Sequence, residues 1–248
     1  MRVYYMTSLE VALKHIISEQ RMKVSRFKDL NDPFELTSHD IGDKNVRAKL
    51  RVFIAEADKR FGLICFSDNW KSPVMWAHYA DKHDGVCLGF DISDGYLTPL
   101  QYVDARILHI FDKKVPTNDQ LIDQMLYHKA TEWKYEREIR AIVLLDGPQL
   151  PMYHIPFGHD LQLREVIIGC RNPMSPRDLE PFILAQETSV QIIKARPAFK
   201  KFEIVENRKY KSVSIPATRD CRKLHGIPRT GPRFLIGAGK ESKGSETT

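Results

Sequence analysis

Apolar and polar positions change period several times along residues 1–206, which predicts short elements of both kinds. Short runs rich in β-branched and aromatic residues, bounded by turn-forming residues, predict strands. These runs are 2–7, 22–27, 61–67, 85–92, 101–108, 136–145, 152–157, 163–169, 190–196 and 201–206. Helical spacing predicts helices at 8–21 with Ser8 as N-cap, at 43–60, at 72–82 beginning near Pro73, at 118–134 and at 175–187.

The order of these elements indicates the fold class. Strands outnumber helices, and the turns between most neighbouring strands are too short for a crossover helix. The pattern therefore predicts an α+β domain over residues 1–206 with largely antiparallel sheets. Residues 207–248 are rich in Pro, Gly, Ser and Thr and weak in periodicity, so we expect a flexible C-terminal arm there.

The positive charge of the chain is concentrated in that arm. Residues 207–248 hold ten Lys and Arg against three Asp and Glu, whereas the whole chain has a net charge of +6. A basic arm can hold a phosphate backbone because Lys and Arg release condensed counterions on binding, so nucleic acid is an expected partner. A solubilising tail that binds nothing specific is the alternative.

The spacing of cysteines and histidines gives no metal-binding pattern. The four cysteines are far apart and form no CxxC pair, which indicates reduced thiols in a cytoplasmic protein. The nine histidines show no ligand spacing, so we predict no metal site. The sequence also lacks GxxxxGK[ST], GxGxxG, GxSxG and HExxH. No stretch approaches the roughly 20 apolar residues of a membrane span, so a membrane is not an expected partner.

Two short segments combine residues that suit ligand binding. In LNDPFE, Asn31 and Asp32 either offer polar groups to a ligand or cap the turn that they begin. In VMWAHYAD, Trp76 and Tyr79 are three apart on a predicted helix, with His78 between them. Residues at this spacing share a helix face, so the two rings could stack on a flat ligand. Packing of both aromatic residues in the core is the alternative.

A third segment, residues 131–145, reads TEWKYEREIRAIVLL. In an extended strand, side chains two apart share a face, so Glu136, Glu138 and Arg140 would line up together. Adjacent carboxylates repel each other, which raises the pKa of one of the pair and is costly unless a site uses it. The row therefore predicts a functional site, with a solvated face of an edge strand as the alternative.

The motifs NDPFE, WAHYA and WKYEREIR, in this order, resemble a widespread bacterial domain family of unknown function over about residues 1–205. The wider plan is similar to the ADP-ribosyltransferase superfamily, with a first strand and helix, a mid-chain strand with Ser and a late strand with E-x-E. This resemblance implies an α+β fold of largely antiparallel, split sheets with short helices. It also implies an NAD-dependent transferase, a toxin or phage-defence effector that modifies RNA or DNA, with NAD as substrate and no metal.

The superfamily motifs can be placed on this chain position by position. Some members carry Arg, then S-T-S, then E-x-E, and others carry His, Tyr and Glu. This chain offers Arg2 with Tyr5-Met6-Thr7, then Cys65-Phe66-Ser67, then Glu136-Arg137-Glu138. Tyr5 stands where the His-type members place their histidine, and only the last Ser of the S-T-S element is present.

The resemblance assigns the catalytic roles to the two glutamates. Glu138 would stabilise the oxocarbenium-like ribose and hold its hydroxyl, and Glu136 would take the proton of the acceptor. The nicotinamide would stack against Trp76 and Tyr79, and Arg140 and Arg2 would neutralise the NAD phosphates or brace the glutamates. The full set of expected NAD-binding residues is Tyr5, Thr7, Asn31, Asp32, Ser67, Trp76, His78, Tyr79 and Arg140.

Two other functions stay open on the sequence alone. A protein that keeps this fold without binding NAD would be a non-catalytic nucleic-acid- or protein-binding module. A hydrolase or nuclease would place a metal on Asp32 and the two glutamates, and no ligand spacing supports that reading. A toxin would also need a neutralising antitoxin protein as its partner.

Overall fold

The computed structural model describes residues 1–107, 125–146, 150–183, 187–218 and 232–235. The strands are β1 Arg2–Thr7, β2 Arg21–Val24, β3 Phe61–Ser67, β4 Val86–Ile92, β5 Leu97–Pro99, β6 Gln101–Val103, β7 His128–Ala130, β8 Glu138–Leu144, β9 Tyr153–Pro156, β10 Leu161–Ile168, β11 Val190–Pro197, β12 Ile204–Glu206, β13 Val213–Ile215 and β14 Arg233–Phe234. The helices are α1 Leu9–Val11, continued by a π-helical turn Ala12–Ile17, then α2 Lys44–Arg60, α3 Pro73–Tyr79 and α4 Pro176–Leu179.

One large sheet forms the centre of the fold. Its strand order is β12-β11-β10-β4-β1-β3-β8-β14, with β13 beside β11 and β5 beside β8. The pairs in this sheet are antiparallel except β10 with β11, which are parallel. Two smaller sheets pair β2 with β9 and β6 with β7. The predicted α+β class with largely antiparallel strands and short helices is confirmed.

The large sheet narrows between β1 and β3. β1 pairs with β4 over six residues, and β3 pairs with β8 over seven, ending at Ser67↔Glu138. In the described part of the chain, β1 and β3 share one registered pair, Tyr4↔Ser67. Away from this pair the two strands separate, and a cavity lies between them. The last residues of β3 and the first residues of β8 therefore lie at the edge of that cavity.

Helix-capping chemistry explains where the helices begin. The side chain of Ser8 accepts a hydrogen bond from the backbone N–H of Val11 at 3.2 Å, as predicted. Ser72 does the same for Met75 at 3.3 Å, and Pro73 occupies the first turn of α3, where its missing N–H costs nothing. Among the described residues, no helix combines the length and apolar character needed to cross a bilayer.

The helix predicted at 118–134 is helical at residues 125–126 and wrong from residue 127 onward. His128–Ala130 form β7, which pairs in parallel with β6, and Thr131–Glu136 form a 3-10 turn. The turn ends at Arg137, whose φ of 47° is left-handed, so β8 begins at Glu138 rather than at Glu136. The alternation expected for a strand from 136 onward therefore does not apply to Glu136. Residues 118–124 of this prediction lie outside the described residues.

Parts of the predicted C-terminal arm belong to the sheet. β13 pairs with β11, and β14 pairs with β8. The ring of Phe234 also stacks against Tyr96, with centroids 5.4 Å apart. The expected flexible arm is therefore corrected for these two strands, because backbone pairing and ring packing hold them on the domain. The rest of the prediction at 219–231 and 236–248 lies outside the described residues.

Candidate functional site

A cavity of about 220 Å³ lies where β1 and β3 separate. One wall is formed by Tyr5 and its neighbours in β1, and the opposite wall by residues 64–67 of β3. The loop after β2 contributes Asn31 and Glu35, and α3 contributes Tyr79. The carboxylates of Glu136 and Glu138 also line the cavity.

Lys129 lies at the centre of a cluster of buried charges beside this cavity. Its ammonium nitrogen is 2.6 Å from Glu136 Oε2 and 2.9 Å from Glu138 Oε2. It is also 3.5 Å from Glu35 Oε1. The side chains of all four residues are 6% exposed or less, so these contacts are almost unscreened by water. A single ammonium thus holds three carboxylates together.

Arg140 is the second cation of the cluster and lies behind it. Its Nε is 2.7 Å from Glu138 Oε1, and its Nη2 is 2.6 Å from Glu35 Oε1. Its Nη1 donates to the backbone oxygen of Leu126 at 2.7 Å. The guanidinium is fully buried, and it fixes the orientation of both carboxylates through charge-assisted hydrogen bonds.

Backbone geometry places the two glutamates side by side. The left-handed turn at Arg137 lets the chain pass from the 3-10 turn into β8, so that both carboxylates reach Lys129. The hydroxyl of Ser67 donates to the backbone oxygen of Glu136 at 2.6 Å. The backbone N–H of Glu138 donates to the hydroxyl of Tyr102 at 2.8 Å. These two hydrogen bonds fix the segment at both ends of the turn.

Tyr79 connects the acidic cluster to the loop that follows β2. Its hydroxyl donates to Glu136 Oε1 and accepts from the side-chain amide of Asn31 at 3.1 Å. Burial and the neighbouring Glu136 carboxylate raise the pKa of Tyr79, so it stays a hydrogen-bond donor. Glu136 is therefore held from one side by a phenol and from the other by Lys129.

The two glutamates differ in protonation behaviour. Burial opposes the charge of Glu138, but Arg140 and Lys129 outweigh it and lower the pKa of this carboxyl to about 2. Burial also opposes the charge of Glu136, and here Lys129 and Tyr79 do not compensate, so the pKa of Glu136 is raised. Because both Glu138 oxygens face a cation, Glu138 is the member of the pair that stays charged at neutral pH.

The cluster contains more negative than positive groups. Three carboxylates, those of Glu35, Glu136 and Glu138, face the two cations Lys129 and Arg140. Glu35 Oε2 is buried and has no hydrogen-bond partner among the described atoms. A buried carboxylate oxygen without a donor is costly, so this corner of the cavity favours a ligand that brings a donor or a positive charge.

The cavity gathers six of the sequence-predicted site residues and leaves out five. Those that line it are Tyr5, Asn31, Ser67, Tyr79, Glu136 and Glu138, and those that do not are Thr7, Asp32, Trp76, His78 and Arg140. Thr7 is buried at the end of β1, and His78 is exposed with its Nδ1 3.1 Å from the Tyr135 hydroxyl.

The ligand-binding roles expected of three residues need correction, whereas the bracing of a glutamate, the other role expected of Arg140, is present. Trp76 is fully buried, its indole N–H donates to the backbone oxygen of Trp70 at 2.6 Å, and it has no face toward a ligand. Asp32 caps its own turn by accepting from the N–H of Phe34 at 2.9 Å. Arg140 braces Glu138 and has no exposed surface for phosphates.

Arg2, the other arginine of the predicted motif, forms ion pairs elsewhere in the sheet. It pairs with Asp91 at 2.5 Å and with Glu165 at 2.7 Å. Because both partners lie on β4 and β10, Arg2 does not contribute to the acidic cluster.

Sequence reasoning missed Glu35 and Lys129. Glu35 is the last letter of NDPFE, so the motif contained it, but its partner Arg140 is 105 positions away. Lys129 fell within a predicted helix, and its position depends on the pairing of β7 with β6.

Cys65 also lines the cavity. Burial, followed by the Glu138 carboxylate, raises the pKa of its thiol and disfavours a thiolate.

No group of three or more His, Cys, Asp or Glu side chains in the described ranges is arranged to hold a metal ion. The position between the three carboxylates, where a cation would be expected, is filled by the ammonium of Lys129.

Comparison with protein-family models gives a match to part of the chain. A family model described as "Protein of unknown function (DUF2971)" matches residues 75–141. Neither the curated proteins nor the solved structures yield a significant match to this chain. The matched stretch includes Tyr79, Lys129, Glu136, Glu138 and Arg140, but not the loop with Glu35. The chain is therefore similar, over these residues, to a family whose function is unknown.

Proposed function

We propose that this protein is an NAD-dependent ADP-ribosyltransferase whose active site is the acidic cavity between β1 and β3. The observation that carries the proposal is the pair of buried carboxylates on either side of the Arg137 turn, which share Lys129, one held ionised and the other with a raised pKa. NAD would supply the ADP-ribosyl group and nicotinamide as the leaving group. The ring nitrogen of the bound nicotinamide is positively charged, which suits a cavity with an excess of carboxylates.

The size of the cavity suits one end of the dinucleotide. Ligand pockets for whole drug-sized molecules are about 300–1,000 Å³, whereas this cavity is about 220 Å³. In the proposal the nicotinamide and its ribose occupy the cavity, beside Tyr5 and Tyr79. Lys23, which is exposed and also lines the cavity, would contact the phosphates. The unpartnered Glu35 Oε2 would accept a hydrogen bond from the ligand.

Glu138 would stabilise the transition state electrostatically. As the glycosidic bond breaks, its electron pair goes to the nicotinamide nitrogen and positive charge develops on the ribose. A fixed carboxylate stabilises this charge, which exists mainly in the transition state, and therefore speeds the chemical step. Arg140 and Lys129 would keep Glu138 in place and charged, at the cost of weakening its field.

Glu136 would act as the general base for the acceptor. Its raised pKa makes it a better proton acceptor than an ordinary glutamate, and Tyr79 orients it. The acceptor's lone pair would form the new bond to the ribose carbon, and its proton would pass to Glu136. We propose nucleic acid as the acceptor, with the basic residues of 207–248 adding affinity. An enzyme of this kind fits a toxin or phage-defence effector that a partner protein neutralises.

Two measurements test the proposal. NAD at 100 times its dissociation constant should stabilise the protein by about 2.7 kcal/mol in thermal unfolding. Chromatography should show nicotinamide released from NAD, and Glu138→Gln should slow this release at least about 100-fold. Asp91→Asn is the matched control, because it removes a carboxylate from an ion pair in the same sheet, and neither Asp91 nor its partners Arg2 and Arg164 line the cavity.

The result that would overturn the proposal is a wild-type protein that neither gains stability with NAD nor releases nicotinamide. The chain would then fit the alternative of a non-catalytic nucleic-acid- or protein-binding module. In that case the charge cluster would serve the stability of the fold.

A further inference from the structure

The hairpin that joins β11 to β12 exposes two aromatic rings. Its sequence is PAFKKFE, residues 197–203. Phe199 is 89% exposed and Phe202 is 100% exposed, far above the other large apolar residues of the described chain. Burying a phenylalanine side chain stabilises a protein by about 1.5–3 kcal/mol. Neither of these two phenylalanines gains that stabilisation in the fold.

This hairpin is held firmly by backbone hydrogen bonds. β11 and β12 pair up to Pro197↔Ile204, and the N–H of Ala198 donates to the backbone oxygen of Glu203 at 2.8 Å. The N–H of Ile204 donates to the backbone oxygen of Lys71 at 2.8 Å. The two rings are therefore presented on a fixed support, which lowers the entropy cost of binding through them.

Positive side chains accompany the rings. The guanidinium of Arg196 lies 4.2 Å from the centre of the Phe199 ring, and Lys200 and Lys201 stand between the two phenylalanines. A groove of about 470 Å³ runs beside Phe199, and its charged lining consists of four cations, Arg196, Lys200, Lys201 and Arg208, and two carboxylates, Glu203 and Glu206. Alternation of aromatic and cationic side chains is typical of surfaces that stack bases and pair phosphates.

A second groove leads from this hairpin toward the acidic cavity. It has a volume of about 530 Å³ and is lined by Phe202, Lys71 and Arg137 among others, with the guanidinium of Arg137 paired to Asp68 at 2.6 Å. Tyr4 lines both this groove and the acidic cavity. Arg137 directly follows Glu136 in the chain, so the groove ends beside the proposed catalytic pair.

We propose that the hairpin 197–203 is the docking site for a single-stranded nucleic acid. Bases stack on Phe199 and Phe202, phosphates contact Lys200 and Lys201, and the strand runs along the second groove to the cavity. This inference rests on the proposed function in one respect, since it names single-stranded nucleic acid as the acceptor. A bilayer would also accept exposed phenylalanines and lysines, but it could not follow a groove to the cavity, so the continuity favours a strand.

The test measures binding of fluorescently labelled single-stranded RNA and DNA of about 12 nucleotides to the full chain by anisotropy. Phe199→Ala with Phe202→Ala should raise the dissociation constant at least about tenfold, because base stacking is lost at both rings. Phe182→Ala is the matched control and should change nothing, since Phe182 is 53% exposed in another part of the chain.

The lysines give a second, independent readout. Lys200→Gln with Lys201→Gln should reduce the slope of log K against log salt by about 1.4, because each phosphate contact on a single strand contributes about 0.7. Lys44→Gln with Lys49→Gln, on the exposed side of α2, should leave the slope unchanged.

An unchanged dissociation constant in the double phenylalanine variant would overturn the inference. Failure of the wild-type chain to bind either oligonucleotide would overturn it too, including the case where the hairpin binds anionic vesicles instead. Nicotinamide release without acceptor separates the two proposals. If nicotinamide is released and oligonucleotide binding does not depend on the hairpin, the proposed docking site is wrong and the proposed enzymatic activity is retained. If the hairpin binds oligonucleotides and NAD is not cleaved, the proposed enzymatic activity is wrong and the docking site is retained.

Discussion

Replacing Glu138 by Gln tests how the buried cluster is held together. The side chain is 4% exposed, and each of its oxygens faces a cation, Arg140 at 2.7 Å and Lys129 at 2.9 Å. Gln keeps the shape of Glu but not its charge, so it imitates the protonated carboxyl. The difference in stability between the two proteins therefore measures what the charge contributes.

The pKa gives the magnitude and its dependence on pH. The pKa of Glu138 is about 2 in the folded protein, against about 4.3 in an unfolded chain. Because the folded value is the lower one, the charge stabilises the fold above about pH 4.3 and this contribution is lost as the pH falls through about 2. The two values correspond to about 3 kcal/mol at pH 7 and about 1.4 kcal/mol at pH 3.

Urea unfolding at fixed ionic strength, followed by circular dichroism, measures this difference. Wild type and Glu138→Gln are compared at pH 7, 5 and 3, with equal urea dependence required so that the midpoints report stability. We expect the variant to be less stable by about 3 kcal/mol at pH 7, and the gap to shrink by about half at pH 3.

Glu136→Gln is the matched comparison, and the pH dependence of its effect on stability should have the opposite sign. Because the pKa of Glu136 is raised, its contribution is present below about pH 4.3 and is lost as the pH rises through the folded value. Relative to wild type, Glu136→Gln should therefore become more stable as the pH rises. A gap for Glu138→Gln that is below about 1 kcal/mol at pH 7, or the same at every pH, would refute the idea that the two cations hold Glu138 charged.

Three further predictions concern the cavity. If Glu136 is the general base, kcat/KM for transfer should rise with pH up to its raised pKa, and Glu136→Gln should abolish that rise; an unchanged profile would exclude the role. Glu35→Gln should raise the KM for NAD about tenfold with little change in kcat, because a charged acceptor for the ligand is lost; equal KM values in steady-state assays would contradict this. Trp76→Phe should lower the free energy of unfolding by about 1–3 kcal/mol and leave the KM for NAD unchanged, because the indole N–H bonds the backbone inside the core. Tyr79→Phe should instead alter kcat/KM, because the phenol orients Glu136. The reverse pattern in unfolding and kinetic assays would show that Trp76 contacts the ligand.

Much of the sheet could be predicted because its strands carry local signals. β1, β3 and β4 are predominantly apolar runs, and the structure gives β1 and β3 the predicted bounds. Capping also acts locally, so the starts at Ser8 and Ser72 follow from neighbouring residues alone. Short apolar runs and caps depend on few distant contacts, which is why these features could be read from the sequence.

The remainder depends on contacts between distant parts of the chain. Lys129 reaches the glutamates because β7 pairs with β6 and a 3-10 turn follows, and neither feature is encoded by helical or strand periodicity. Glu35 gains its role from Arg140, which is far away in sequence. Spacing alone placed Trp76 and Tyr79 on one face, but packing against Trp70 buries the first and leaves the second at the cavity.

The C-terminal region shows the same limit of local reasoning. Its composition predicts a flexible arm, yet β13 and β14 pair with β11 and β8. Strand pairing supplies backbone hydrogen bonds that composition does not reveal. Local sequence character therefore underestimates order wherever an edge strand of the domain is free to pair.

The most direct test of the central claim follows both products of one reaction. Wild type, Glu136→Gln and Glu138→Gln are incubated with NAD labelled on its adenylate and a single-stranded nucleic acid, and nicotinamide release and label transfer are measured together. The proposed roles predict that Glu138→Gln loses both nicotinamide release and label transfer, whereas Glu136→Gln still releases nicotinamide to water and loses label transfer. Nicotinamide release by Glu138→Gln at the wild-type rate would contradict these roles.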